Sequence, residues 1–265
     1  MNKTFMPSTS RLSMSTSASD VLVGKDETQA QLMSEEIILV SPADAVIGKM
    51  SKKDSHLVSN NLPLHRAFSL FLFDSAGRML LQRRAAEKVT FPSYWTNTVC
   101  SHPLHNAAEL GEEDGDDSVV GAKRAAIRKL GHELGVKEGS LGIADLTFMT
   151  RVHYRAENGD GVWGEHEVDY VFVAQRDVEL RPEPNEVSDV RYVDQKELKE
   201  LFAEAEKSEG TLLTPWFQHI VNGFGWPWWD SLLEKGPPGL EGLRDPHTVH
   251  HMGDCGVHCS LPHDT

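Results

Sequence analysis

The chain is poor in cysteine, in positive charge and in long apolar stretches. Three Cys (Cys100, Cys255 and Cys259) in 265 residues are too few for a disulfide framework and suit a reducing compartment. Lys and Arg number 26 against 40 Asp and Glu, and a net charge of −14 repels a nucleic-acid backbone or an anionic lipid surface. No nucleic-acid partner is expected, and any phosphate ligand must be small and held in a local basic pocket. The longest apolar runs, Ile37 to Val40 and Ala67 to Phe73, fall far short of the roughly 18 to 20 residues a bilayer crossing needs, so no membrane span is expected either. What remains is a globular chain long enough for one large domain or two small ones.

Met1 to Ser19 holds six Ser, three Thr, one Lys, one Arg and no acid. That composition is shared by organelle transit peptides and by plain N-terminal disorder, and residues 1–36 are expected to be a disordered or transit segment, with a plastid address favoured over the cytoplasm. From Ile37 the pattern becomes that of a folded domain. Ile37 to Val40 reads as a buried strand. Ala67 to Phe73, the turn Asp74 to Gly77 and Met79 to Gln82 read as a hairpin, and Leu146 to Arg155 with Glu165 to Ala174 as a second one. Between them Glu109 to Asp117 carries six acids in nine residues and reads as a solvated insertion. Ser118 to Leu134 is an amphipathic helix stopped by Gly135. Val190 to Val193 suits a strand, Gln195 to Lys207 a surface helix, and Thr214 to Trp229 an aromatic helix interrupted at Pro227. Residues 236–265, rich in Gly, Pro and His, read as a flexible tail. Antiparallel hairpins with a helix between them indicate a single α+β domain over 37–235, a mixed sheet covered by helices, expected to be a monomer.

Side-chain alternation puts Cys100 and His102 on one side of an extended segment, and Glu165 and Glu167 on one side of a strand with Val168, Tyr170 and Phe172 on the other. Adjacent carboxylates repel unless a cation or a proton lies between them. With His56 and His65 they would make a site of three nitrogens and two carboxylates, a donor set that suits Zn²⁺, Mn²⁺ or Mg²⁺. Arg83, Arg84 and Lys88, with Lys52 and Lys53 upstream, are cations gathered near these residues in an otherwise acidic chain, as a diphosphate clamp requires.

The ordered set Leu64-His-Arg-Ala-Phe68, Thr90-Phe-Pro92, Trp95-Thr-Asn97, Cys100-Ser-His-Pro-Leu104, Trp163-Gly-Glu-His-Glu-Val-Asp-Tyr170 and Thr214-Pro-Trp-Phe217 resembles the type I isopentenyl-diphosphate isomerases, a branch of the Nudix superfamily. The tail His247-Thr-Val-His-His-Met252 is similar to the endings of plant and algal members. The Nudix box is eroded: Arg128-Lys-Leu-Gly-His-Glu-Leu-Gly135 keeps Arg128, Glu133 and Gly135 but carries Lys129 and His132 where the hydrolases place acids.

The resemblance implies a Nudix-like mixed sheet sandwiched by helices and the interconversion of isopentenyl and dimethylallyl diphosphates, a step of isoprenoid and carotenoid biosynthesis. It implies Cys100 and Glu167 as the proton-transferring pair, assisted by Tyr154. Lys52, Arg83, Arg84 and Lys88 would bind the diphosphate, and Trp216 would line the hydrocarbon site. A divalent metal (Zn²⁺, Mn²⁺ or Mg²⁺) would sit on His56, His65, His102, Glu165 and Glu167, and a Mg²⁺ accompanying the diphosphate would be reached by Glu133. Two other readings stand beside it. One is a Nudix-type diphosphate hydrolase, which the eroded box disfavours. The other is a non-catalytic metal-binding module built on His247, His250, His251, Cys255, His258 and Cys259.

Overall fold

Every residue from His65 to Phe73 is buried, which a strand permits only where both faces of its sheet are covered. The computed structural model describes residues 21–253 apart from 114 and 208–209. Along it run helix α1 (Glu27–Leu32), strands β1 (Glu36–Val40) and β2 (Val46–Ser51), the short helix α2 (Lys52–Ser55), strands β3 (His65–Phe73), β4 (Met79–Arg84), β5 (Trp95–Thr96) and β6 (Val99–Ser101), helices α3 (Ala107–Leu110) and α4 (Ser118–Leu134), strands β7 (Thr147–Glu157), β8 (Gly164–Gln175) and β9 (Val187–Val193), helices α5 (Gln195–Glu206), α6 (Pro215–Ile220) and α7 (Trp226–Lys235), and strand β10 (Val249–Met252). The sheet runs β10-β7-β8-β3-β1-β2, with β6 also on β3 and with β4 joining β9 and β5. Strand β3 lies parallel to β8 and antiparallel to β6, so it is the spine of a mixed sheet.

Alternation along the central strands divides the interior in two. Phe68, Leu70 and Leu72 of β3 and Tyr170 and Phe172 of β8 meet Ala122, Ala125, Ala126, Leu130 and Leu134 of α4 on one face. Phe71, Phe73, Val171 and Val173 meet the other three long helices through Leu198, Leu201, Trp216, Phe217, Trp229 and Leu232. The result is the expected α+β sandwich.

Helix α4 matches its predicted span. Asp117 caps its first N–H groups through Val119 and Val120, and Gly135 ends it in the left-handed conformation at φ 61. Its buried face consists of Gly121, Ala122, Ala125, Ala126, Leu130 and Leu134 with Lys129 and Glu133, while Val120 and Ile127 are half-buried. Small residues let it approach closely: a Cβ on Gly121 would lie 2.3 Å from the carbonyl oxygen of Glu109.

Four expectations need correction. The first predicted hairpin is nominal, because β3 and β4 pair only at Phe73 and Met79 before β4 turns away to β9, leaving that flank of β3 to β6. The acidic segment is not simply solvated: Glu109 is buried and binds Arg128 and the Leu104 N–H, while Asp117 caps α4. The helix does not end at Pro227: helical conformation runs on from Pro215 to Lys235, and the irregularity is the π-helical turn Val221–Gly225 that lies just before it, where the chain adjusts its hydrogen bonds ahead of a residue without an N–H. Finally, the folded region exceeds 37–235 at both ends. Gln29 of α1 is buried, Pro237–Leu243 forms a 3₁₀ helix, and β10 adds a parallel strand to β7 from Val249↔Arg151 to Met252↔Tyr154. Open hydrogen-bonding groups along β7 explain why so polar a segment is ordered.

Gly121→Ala is expected to cost about 1–3 kcal/mol by forcing α4 off the α3 loop, read as a lower urea midpoint. An unchanged midpoint would show that this contact yields freely.

Candidate active site

Five buried ligand-bearing side chains converge at one end of β3. His65 opens that strand and lies opposite Glu167 in the parallel register with β8. Glu165 and Glu167 share a face of β8, His102 follows β6 on the other flank of β3, and His56 caps the C-terminus of α2. Their ligand atoms all lie within 4.8 Å of one another, and among the described residues they form the one such group. The three imidazole centroids are 4.8 to 4.9 Å apart.

The hydrogen bonds behind the rings say what faces inward. The Lys52 carbonyl lies 2.6 Å from His56 Nδ1 and the Pro63 carbonyl 2.8 Å from His65 Nδ1, so each Nδ1 donates outward and each Nε2 faces the cluster. His56 Nε2 meets Glu165 Oε2 at 2.6 Å. His56 Nε2, His65 Nε2, His102 Nδ1 and Glu165 Oε2 are buried without a hydrogen-bond partner. Burial and the neighbouring rings of His56 and His65 hold His102 well below the usual imidazole range, so it is neutral. Burial pushes the Glu167 carboxyl up, but the His65 imidazole 3.6 Å away and the Tyr154 hydrogen bond outweigh it and hold the group below the usual carboxylate range; His56 does the same for Glu165. Three imidazoles and two carboxylates aimed at one point fit a divalent cation, and the five residues can hold one.

Beside this cluster is a cavity lined by Lys52, Arg84, Lys88, Thr90, Cys100, Ser101, His102, Tyr154, Glu165, Glu167 and Trp216. Tyr154 donates a very short hydrogen bond to Glu167 Oε2, and burial followed by the Glu167 charge holds the phenol well above its ordinary range. Burial pushes the Cys100 thiol up to about 12, against the pull of Arg84, so it is a neutral S–H. Arg84 is fixed by the Thr90 and Phe91 carbonyls at 2.9 and 3.1 Å, and its NH1 lies 4.0 Å from Cys100 Sγ. Phe91 adopts φ 46, a strained conformation for a bulky residue, and so turns its carbonyl to that guanidinium. Lys52 loses proton affinity to burial and to the Lys88 and Lys129 ammoniums, down to about 8.

Two candidates from the sequence fall outside this lining. Arg83, next to Arg84 on a strand, points to the opposite side, is exposed, and donates to the Ser93 carbonyl at 3.1 Å. Glu133 lies deeper, with Lys129 Nζ at 3.1 Å from one oxygen and Gln82 Nε2 at 3.0 Å from the other. Of the tail residues, His250 pairs with Asp245 at 3.0 Å and His251 packs on His153, while Cys255, His258 and Cys259 lie outside the described residues.

Residues 63–214 match the NUDIX domain family. The isopentenyl-diphosphate delta-isomerase of Phaffia rhodozyma is 49% identical over 229 residues, covering 83% of this chain and 88% of the relative. The chain belongs to the isopentenyl-diphosphate delta-isomerase family. The Dictyostelium discoideum member is 48% identical, over 86% of this chain and 93% of its own length. A chloroplastic member from Cannabis sativa is 44% identical, over 94% and 86% respectively.

Three buried polar residues of this isomerase-family site escape the sequence reading. Asp169 continues the Glu165-Glu167 alternation on β8, which was the signal for it; burial and then the Glu167 charge hold it protonated, and Ser69 donates to it at 2.7 Å. Lys129 shows only as an odd residue in the eroded box. Glu186 sits in a loop with no periodicity and gives no signal.

One divalent ion per chain is expected by elemental analysis, lost in Glu165→Ala. Its removal by a chelator should lower stability, by about 4 kcal/mol for an ion present at a thousand times its dissociation constant. An unfolding midpoint indifferent to chelation would contradict a metal in this cluster.

Proposed function

We propose that this chain interconverts isopentenyl and dimethylallyl diphosphates by moving a proton onto the terminal alkene carbon and another off C2. The observation that carries this is the meeting, in one cavity, of a neutral thiol and a phenol-bonded carboxylate at one end with fixed cations at the other. An isolated alkene has no carbonyl to hold a carbanion, so protonation to a tertiary carbocation is the accessible path, and it needs one proton donor and one acceptor beside the five-carbon chain. Cys100 and Glu167 fill these roles, with Tyr154 fixing Glu167 and relaying its proton. Reversal of the reaction exchanges the roles.

A divalent ion on the His56, His65, His102, Glu165 and Glu167 donor set, Zn²⁺, Mn²⁺ or Mg²⁺, supplies positive charge that orders Glu167 and sharpens the acidity of the proton it shares with Tyr154. Lys52, Arg84 and Lys88 would bind the diphosphate, and Glu133, now engaged by Lys129 and Gln82, would be a ligand for an accompanying Mg²⁺ only once freed from one of them. Water captures a free carbocation, so the chamber must be dry. Tyr154 and Trp216 rings lie 6.1 Å apart beside it, and an aromatic face toward a desolvated cation contributes about 2 kcal/mol.

The hydrolase reading meets a chemical obstacle. Lys129 Nζ stands 3.1 Å from Glu133 and 3.8 Å from Glu186, so an ammonium already neutralises the carboxylates that would gather hydrolytic metals. The Ser/Thr-rich, acid-free residues 1–19 and the chloroplastic relative support a plastid address.

Incubation with Mg²⁺ and isopentenyl diphosphate should yield the dimethylallyl isomer by NMR; release of inorganic phosphate instead would favour the hydrolase. Cys100→Ala and Glu167→Gln should each lower kcat by about a hundredfold to ten-thousandfold with the fold intact, and a variant at full rate removes that residue from the mechanism. Because the Lys52 ammonium is lost as pH rises through about 8, KM should climb above that pH in the native chain and stay flatter in Lys52→Arg.

A further inference from the structure

Helix α1 precedes the residues that match the NUDIX family, yet it touches the supports of both lysines at the diphosphate end of the cavity. Gln29 is buried on α1, and its Nε2 donates to Glu186 Oε1 at 2.9 Å and to Asn185 Oδ1 at 2.7 Å. The other Glu186 oxygen accepts from Lys88 Nζ in a very short contact and faces Lys129 Nζ at 3.8 Å. The Glu186 carbonyl also binds the Ala85 N–H at 3.0 Å, three residues before Lys88. On the other side, the Glu35 carbonyl accepts from the Lys52 N–H at 2.7 Å and the Met33 carbonyl from Lys53 N–H at 2.8 Å, which ties the end of α1 to the start of α2.

We propose that α1 is a strap that positions the diphosphate clamp, with Gln29 and Glu186 as positioning residues that hold the Lys88 ammonium on the cavity wall. The inference rests on the reading of Lys88 and Lys52 as diphosphate ligands. A lysine side chain has four rotatable bonds and a strongly hydrated head, so an unguided Lys88 would spread over many positions. A carboxylate that is itself fixed by an amide removes that freedom before the anion arrives. Glu186 shares the three ammoniums of Lys52, Lys88 and Lys129 with Glu133 and Glu35, and Arg84 adds a further cation on the same cavity wall for the diphosphate. Neither Gln29 nor Glu186 lines the cavity, so both act through Lys88.

The test compares Gln29→Ala and Glu186→Gln with the native chain for isomerisation, for inhibition by inorganic pyrophosphate, and for pyrophosphate binding by calorimetry. Loss of one hydrogen bond to a charged group should raise KM and the pyrophosphate constants by about three- to tenfold in Gln29→Ala, with kcat within about twofold and with metal content and unfolding midpoint retained. Glu186→Gln should raise them further. Unchanged KM and pyrophosphate binding in a folded Gln29→Ala chain would overturn the strap, as would a fall in kcat at constant KM. If Glu186→Gln fails to fold, the Gln29→Ala result decides. A native chain without isomerase activity would instead defeat the proposed reaction, and calorimetry with pyrophosphate would still decide whether Gln29 sets the clamp.

Discussion

The structure turns on one electrostatic constraint: three imidazoles and two carboxylates are buried together with several of their ligand atoms bare. Removing an ionised carboxylate from water costs several kcal/mol even after relaxation, and two of them here share a buried site with imidazole nitrogens that have no hydrogen-bond partner. Protonating all three rings would be no remedy, because three cations at centroid spacings below 5 Å repel. A divalent cation satisfies every donor at once. The rest of the fold can be read as the means of holding that arrangement: β3 and β8 run parallel so that His65 meets Glu167, β6 brings His102 to the opposite flank, and the short α2 supplies His56 with its Nδ1 already occupied.

A second balance operates at the far end of the cavity. The chain carries a net charge of −14, yet Lys52, Arg84 and Lys88 line one wall. Burial, and then the Lys88 and Lys129 ammoniums, lower the proton affinity of Lys52, and the repulsion among these lysines is contained by Glu133 and Glu186 beneath them. Lys129 is the pivot of this arrangement. Its ammonium stands 3.1 Å from Glu133 and 3.8 Å from Glu186 and ties these carboxylates into an internal ion network, so helix α4 serves here as scaffold for the cavity floor.

How much of this could be read beforehand follows from what each signal depends on. Alternation on a strand is local, so the shared faces of Glu165 with Glu167 and of Cys100 with His102 were legible, and Gly135 fixed the end of α4 because only a left-handed residue suits that stop. Convergence is not local. That His56 joins His102 depends on α2 being anchored by residues 33 and 35, and the family resemblance rather than any spacing supplied it. Arg83 and Arg84 look alike in sequence, and only the direction of the strand separates an exposed cation from one in the cavity. Order in Val249–Met252 depended on a free edge of β7 that no property of the tail itself reveals.

The same environment also explains why a thiol and a carboxylate, rather than two carboxylates, flank the cavity. Burial raises both groups, but Glu167 is compensated by His65 and Tyr154 and stays ionised, whereas Cys100 is not compensated and stays protonated. The pair therefore starts with one proton to give and one place to receive it, without the repulsion of two adjacent anions. When the thiol does give up its proton, Arg84 at 4.0 Å provides the charge that a buried thiolate needs, and that guanidinium is already locked by the Thr90 and Phe91 carbonyls. In the proposed reaction, its position between sulfur and diphosphate end means that anchoring the substrate and stabilising the deprotonated sulfur would draw on one fixed cation. Binding the anion and moving the proton would then be coupled by charge, even though they occur at opposite ends of the ligand.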